Sequence, residues 1–147
     1  MKFSYDEYRN IIKLIQQFLP IMDFADITPK TEEFCVIRHD IEFSIDRAAK
    51  LAEIENQLGI STTYTVQLRN NTYNALSEKN IELIHYIKSL GHCIALHQNP
   101  PYMSEKDLKE YVLKDIETLE HYYGFEVDRY AFHRPKQEQL AMYLDIP

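Results

Sequence analysis

Residues 38–42 read Arg-His-Asp-Ile-Glu and follow directly on the apolar run Phe34-Cys35-Val36-Ile37. Two carboxylates, an imidazole and a guanidinium within five positions can hold a divalent cation or move a proton. Three other stretches turn polar in the same way. Gln67, Arg69 and Asn70 come at the end of STTYTVQL (61–68), His97-Gln98-Asn99 at the end of HCIALH (92–97), and His133-Arg134 at the end of RYAFHR (129–134). Asp40, Glu42, His97 and His133 together have the mixed carboxylate and imidazole chemistry of a divalent-metal hydrolase. The metal would acidify a water molecule and a carboxylate would take its proton. One of the two carboxylates then serves as base while the other holds metal. Asp40 is the better base candidate, with Arg38 or Arg134 able to keep it ionised and oriented.

Strand geometry removes other candidates. In an extended chain Asp40 and Glu42 point the same way, roughly 7 Å apart, and His39 points the opposite way as a packing or supporting residue. His92 and His97 lie at opposite ends of one run, roughly 17 Å apart, and cannot share an ion. His85 and His121 fall inside helical patterns with charged neighbours and read as surface residues. Asn99, Tyr73 and Tyr102 fall at or after strand ends, where an amide and two aromatic rings could contact a sugar. Ordinary packing at the loop bases explains the two tyrosines equally well.

The intervening sequence supplies the elements that must position these residues. Ser4 and Glu7 form a capping-box pattern ahead of Tyr8, Ile11, Ile12, Ile15 and Phe18, so an amphipathic helix fills residues 1–19. Residues 20–32 read as a loop. Helices are expected from Ser44 to Gly59, from Ser77 to Gly91 and from Ser104 to Gly124, with strands at 34–39, 61–68, 92–97 and 129–134 and a short helical tail to Pro147. In the first of these helices the inner side is expected to hold Ile45, Ala48, Leu51, Ala52 and Leu58. Alternation of this kind predicts a parallel sheet, and the continuous apolar runs predict strands covered on both faces. Ligands of such sheets bind at the carboxyl ends of the strands, where all four polar clusters fall.

The 147 residues suit a single domain, with 45% hydrophobic and 27% charged residues and only three glycines. A net charge of −7 without a basic stripe argues against nucleic-acid binding. Cys35 and Cys93 sit in apolar runs and read as buried thiols. The N-terminus lacks the apolar core of a signal peptide and no 18-residue apolar stretch occurs, so a cytoplasmic protein with no membrane association is expected.

The run RHDIEFSIDRAAKLAEIENQLGISTTYTVQL, the phrase GHCIALH and the late AFHRP resemble polysaccharide deacetylase-like proteins of the NodB-homology family. The likeness is to a cytosolic branch whose first motif reads His-Asp-x-Asp, and it spans residues 34–135. It implies a distorted (β/α) barrel and metal-dependent hydrolysis of an acetyl amide or ester on a sugar or sugar precursor, with zinc or a similar divalent metal. By the same resemblance Asp40 corresponds to the base, Glu42 to a metal-binding Asp and His97 to the first metal histidine. Arg134 corresponds to the arginine that orients the base. The second metal histidine would fall at Pro101, which cannot ligate, and His133 is the candidate to supply the missing nitrogen. The family's later leucine-x-histidine motif, which carries its general acid, is not found in the chain.

The expected fold class is therefore α/β: a partial (β/α) barrel of the NodB type, with about four parallel strands, flanking helices and an extra N-terminal helix. At roughly 30 residues per β-α unit the chain holds half a barrel. Such a truncated sheet has open edges, which a homodimer or the N-terminal helix and tail could cover. The alternative function is a catalytically inactive relative that serves as a carbohydrate-binding or protein-interaction module.

Overall fold

The computed structural model describes residues 4–101 and 103–142. Four strands pair in chain order, all parallel: β1 (Arg38–Ile41), β2 (Thr63–Val66), β3 (Cys93–Gln98) and β4 (Tyr130–Phe132). Helix α1 (Tyr5–Gln16) comes first, α2 (Ile45–Gln57), α3 (Glu78–Ser89) and α4 (Glu105–Tyr123) connect the strands, and α5 (Gln137–Leu140) follows β4. The architecture is α/β, a curled four-stranded parallel sheet with flanking helices, consistent with part of a β/α barrel. Among the described residues no helix is long and apolar enough to cross a membrane.

The helix starts follow from their caps. The Ser4, Ser44 and Ser104 hydroxyls accept the amides of Glu7, Arg47 and Asp107, meeting donors that the first turns leave without partners. Ser77 also precedes a helix, but its side chain makes no capping bond. Helix α4 stops at Gly124, whose φ of 71° is left-handed and suits a residue without Cβ. Residues 143–147, the end of the expected helical tail, lie outside the described residues, as does Tyr102.

The first strand departs from expectation. The 34–37 run contributes only an isolated bridge, Cys35 to Ile21, and β1 begins at Arg38, opposite Thr63. Arg38, His39 and Asp40 therefore lie within the strand, and the pleat sends successive side chains to opposite faces. Tyr64, Val66, Ile94 and Leu96 join Ile41 in a core against Ile45, Ala48 and Ala52 of α2, Ile84 and Ile87 of α3, and Leu108, Val112 and Leu119 of α4. The other face is small and polar, and with a 3-10 turn at Phe24–Asp26 it surrounds a cavity of ≈ 440 Å³ lined by Arg38, Thr63, Thr65, Ala95, Arg129 and Ala131. The sequence expectation of apolar cover on both faces is thus corrected: helices cover one face, and the other is polar. Arg129 closes the amino end of this cavity by pairing with Asp23 at 2.9 Å and with Asp128 at 2.9 Å.

On the helix side a fully buried carboxylate ties the layers together. Glu55 of α2 accepts hydrogen bonds from Tyr8 Oη of α1, His39 Nε2 of β1 (2.6 Å), Tyr64 Oη of β2 (2.5 Å) and Thr62 Oγ1 (2.8 Å). The His39 ring stacks on Tyr64 with centroids 4.7 Å apart. His92 is also buried: its Nδ1 accepts the Thr62 amide at 3.2 Å, which leaves Nε2 to donate to Ala52 O at 3.0 Å. Burial alone would raise the Glu55 carboxyl above its ordinary 4.5, but hydrogen bonds from His39, Tyr64 and Tyr8 and the neighbouring His39 charge hold it lower.

Removing the carboxylate leaves these donors buried without an acceptor, so Glu55→Ala is expected to cost about 3–5 kcal/mol in urea unfolding. Because the folded carboxyl is depressed, its contribution is present above pH 4.5 and is lost as pH falls through the lower folded value. The stability gap between wild type and Glu55→Gln should therefore narrow from about pH 6 to pH 3. A gap independent of pH in that window would contradict the assignment.

Candidate metal centre

The polar face brings three sequence-separated candidate ligands together. Glu42 follows β1, His97 is the fifth residue of β3, and His133 follows β4. One ligand atom from each lies within 4.8 Å of the others. His133 Nδ1 sits 3.1 Å from Glu42 Oε1 and 3.1 Å from His97 Nε2. His97 is buried, and His133 and Glu42 are half-buried. Parallel strands in register explain the convergence, because His97 pairs opposite Ala131 and the pleat returns to the same face at His133.

The donor set fits a divalent cation: two imidazoles and a carboxylate are a three-ligand site with room for further oxygen ligands. Burial, together with the nearby His133, lowers the His97 pKa despite the opposing pull of Asp40, which favours the neutral ring that ligates. His97 Nδ1 is buried without a hydrogen bond of normal geometry, and the neighbouring Ala131 backbone offsets the pKa effect of burial only in part.

Glu42 is held through its backbone. Asn70 Nδ2 and Thr72 Oγ1 reach the Glu42 carbonyl at 3.1 and 2.6 Å, and Tyr73 Oη donates to the Ile41 carbonyl at 2.7 Å. Tyr73 Oη also accepts the Gln67 amide at 2.9 Å, and burial raises its phenol to about 12. Tyr73 is therefore a clamp between strand ends, with its hydroxyl engaged by two backbone groups.

Asp40 stands beside the cluster with Oδ2 3.9 Å from His97 Nε2. Its orientation comes from Arg38, two residues earlier on the same strand. Arg38 Nε donates to Oδ1 at 2.8 Å and Nη2 to Oδ2 at 2.9 Å, while Thr65 Oγ1 adds a bond to Oδ1 at 2.9 Å. Partial burial would raise the Asp40 carboxyl, yet the Arg38 and Thr65 bonds and the His97 and Arg38 charges hold it below 3.8. Arg134, expected to orient the base, is exposed in a left-handed conformation with φ 48° and forms no ion pair among the described residues. Of the two arginines compatible with the sequence, Arg38 is the one in contact.

Asn99 is exposed and borders a cavity of ≈ 200 Å³ with Glu42, His133, Asn70 and Thr72. Phe43, which the sequence reading passed over, is 75% exposed and lines the spaces on both sides of Glu42. Its sequence signal was an apolar residue next to the acidic cluster and immediately before the Ser44 cap. His85 and His121 are exposed, as expected. Cys35 and Cys93 are free and half-buried. No family model matches the chain, and no curated protein matches it.

In chelator-treated protein, Arg38→Ala should raise the Asp40 carboxyl pKa as followed by carbon NMR titration, because a hydrogen-bonded cation is lost. Arg134→Ala should leave it unchanged. The reverse pattern would restore Arg134 as the orienting residue.

Proposed function

We propose that the chain is a metal-dependent hydrolase of the polysaccharide deacetylase-like type, acting on an acetyl amide or ester of a sugar. The reading is supported above all by the convergence of Glu42, His97 and His133 within 4.8 Å beside Asp40. Glu42, His97 and His133 would hold a divalent cation such as zinc, which supplies a water molecule acidic enough to react near neutral pH. Asp40 is ionised across the physiological range, because its carboxyl is held below 3.8 by Arg38 and Thr65 against the effect of burial. It accepts the proton of the attacking water through the carboxylate edge that faces His97. Arg38 and Thr65 fix the plane of that carboxylate and so act as positioning residues. His97 stays neutral through burial and so keeps its lone pair available.

The exposed Phe43 ring and the Asn70, Thr72 and Asn99 side chains border the centre and give a neutral, hydroxyl-rich ligand an aromatic face and amide partners. One observation favours a second reading, that of a silent carbohydrate-binding relative: Pro101 occupies the position where the resemblance places another ligating histidine.

Acetate release from N-acetylated and O-acetylated sugars separates the two. Wild type should release acetate only with added divalent metal, and Asp40→Asn should lower kcat by about 10²–10⁴ while leaving the melting temperature intact. Metal-independent release, or full activity in Asp40→Asn, would remove the proposed mechanism. No release from any acetylated sugar at full metal loading would favour the binding module.

A further inference from the structure

Helix α5 turns an amide inward and a leucine outward. Leu140 is 67% exposed, whereas Gln139 beside it is 3% exposed. A short helix that buries its polar residue in preference to its apolar one is attached by hydrogen bonds rather than by apolar burial. Both ends of the Gln139 amide are engaged. Its Nε2 donates to the Pro101 carbonyl at 3.1 Å and to the Pro100 carbonyl at 3.4 Å, and its Oε1 accepts the Lys136 amide at 2.9 Å.

The segments joined in this way leave two neighbouring strands. β3 ends at Gln98, and the chain runs on through Asn99 to Pro100 and Pro101. Neither proline has an amide hydrogen, so the carbonyls of this stretch depend on donors from elsewhere. β4 ends at Phe132, and the His133 amide makes one further bond, to the Gln98 carbonyl at 2.6 Å. At Arg134 the chain turns away from the sheet. Its φ is 48°, and the following Pro135 disfavours the right-handed helical conformation there. Gln139 then ties the departing segment back to the exit of β3.

The same two segments carry the paired imidazoles. His97 lies three residues before Pro100, and His133 lies six residues before Gln139. His133 Nδ1 sits 3.1 Å from His97 Nε2, yet His133 is beyond the last residue of β4. The place of its ring therefore depends on the path of the segment that Gln139 anchors.

We propose that Gln139 is a positioning residue for the metal centre: by tying the β4 exit to the Pro100 and Pro101 carbonyls, it holds the His133 imidazole against His97. Two measurements test it; the first is independent of the metal reading above, and the second rests on it. Gln139→Met keeps a similar side-chain volume and removes the hydrogen bonds at both ends. In the chelator-treated chain it should lower the hydrogen-exchange protection of the His133 amide about tenfold. The Leu96 amide, bonded to the Arg129 carbonyl in the same ladder, should keep its protection. Leu140→Ala, on the exposed side of α5, should change neither amide. Titrated with cobalt(II) and followed by visible absorption, Gln139→Met should bind about tenfold more weakly than wild type. In a His133→Ala background the same substitution should have no further effect, because the clamp acts through that ring. Undiminished protection of His133 in Gln139→Met, or an equal loss at Leu96, overturns the proposal. So does an unchanged cobalt affinity in Gln139→Met, or an equal loss of affinity with and without His133. A wild-type chain that binds no cobalt, with protection lost at His133 alone, sustains the clamp and defeats only the metal reading.

Discussion

The buried Glu55 carboxylate sets which way β1 faces. Its bond to His39 Nε2 fixes that ring on the helix side of the sheet, between Tyr8 of α1 and Tyr64 of β2. The pleat then requires Arg38 and Asp40 to project from the opposite face. A one-residue slip would send Asp40 into the core and His39 into the cavity, and four directed hydrogen bonds to a fully buried carboxylate oppose it. The same carboxylate joins α1, α2, β1 and β2, so a single charged group couples the N-terminal helix to the strand that carries Asp40.

With that parity fixed, the remaining site residues follow from parallel register. Thr65 stands opposite Asp40 and reaches its carboxylate, and His97 stands opposite Ala131, one pleat before His133. The β2–α3 loop adds the last constraint by holding the backbone of Ile41 and Glu42 with Tyr73, Asn70 and Thr72. Glu42 lies beyond the end of β1, where the sheet no longer dictates its direction, and these side-chain bonds replace the ladder as the positioning force. Three candidate ligands on separate strands or strand ends thus meet without any of them being adjacent in the chain.

Much of this was legible before folding because it depends on periodicity. The alternation of helices and apolar runs predicted four parallel strands in chain order, with the first placed four residues too early, and the polar residues at their carboxyl ends pointed to Asp40, Glu42, His97 and His133. What stayed hidden depends on contacts between distant residues. Glu55 lies three positions after Ala52 on the buried stripe of α2, yet a charged residue in a helix reads as solvated. Its burial depends on partners at positions 8, 39, 62 and 64. The resemblance favoured Arg134 over Arg38, and the outcome turned on side-chain reach across one pleat, which puts the Arg38 guanidinium on Asp40. The surroundings of Tyr73 and Phe43 were hidden for the same reason: loop path put the tyrosine hydroxyl between two backbone groups and left the phenylalanine ring exposed.

The central claim is that Glu42, His97 and His133 form one cation site, and native mass spectrometry of the chain titrated with zinc or cobalt tests it most directly. The account predicts one cation per chain, with affinity reduced at least about tenfold in Glu42→Ala, His97→Ala and His133→Ala and unchanged in the surface control His85→Ala. Absence of a bound cation, or undiminished uptake in His133→Ala, would contradict it.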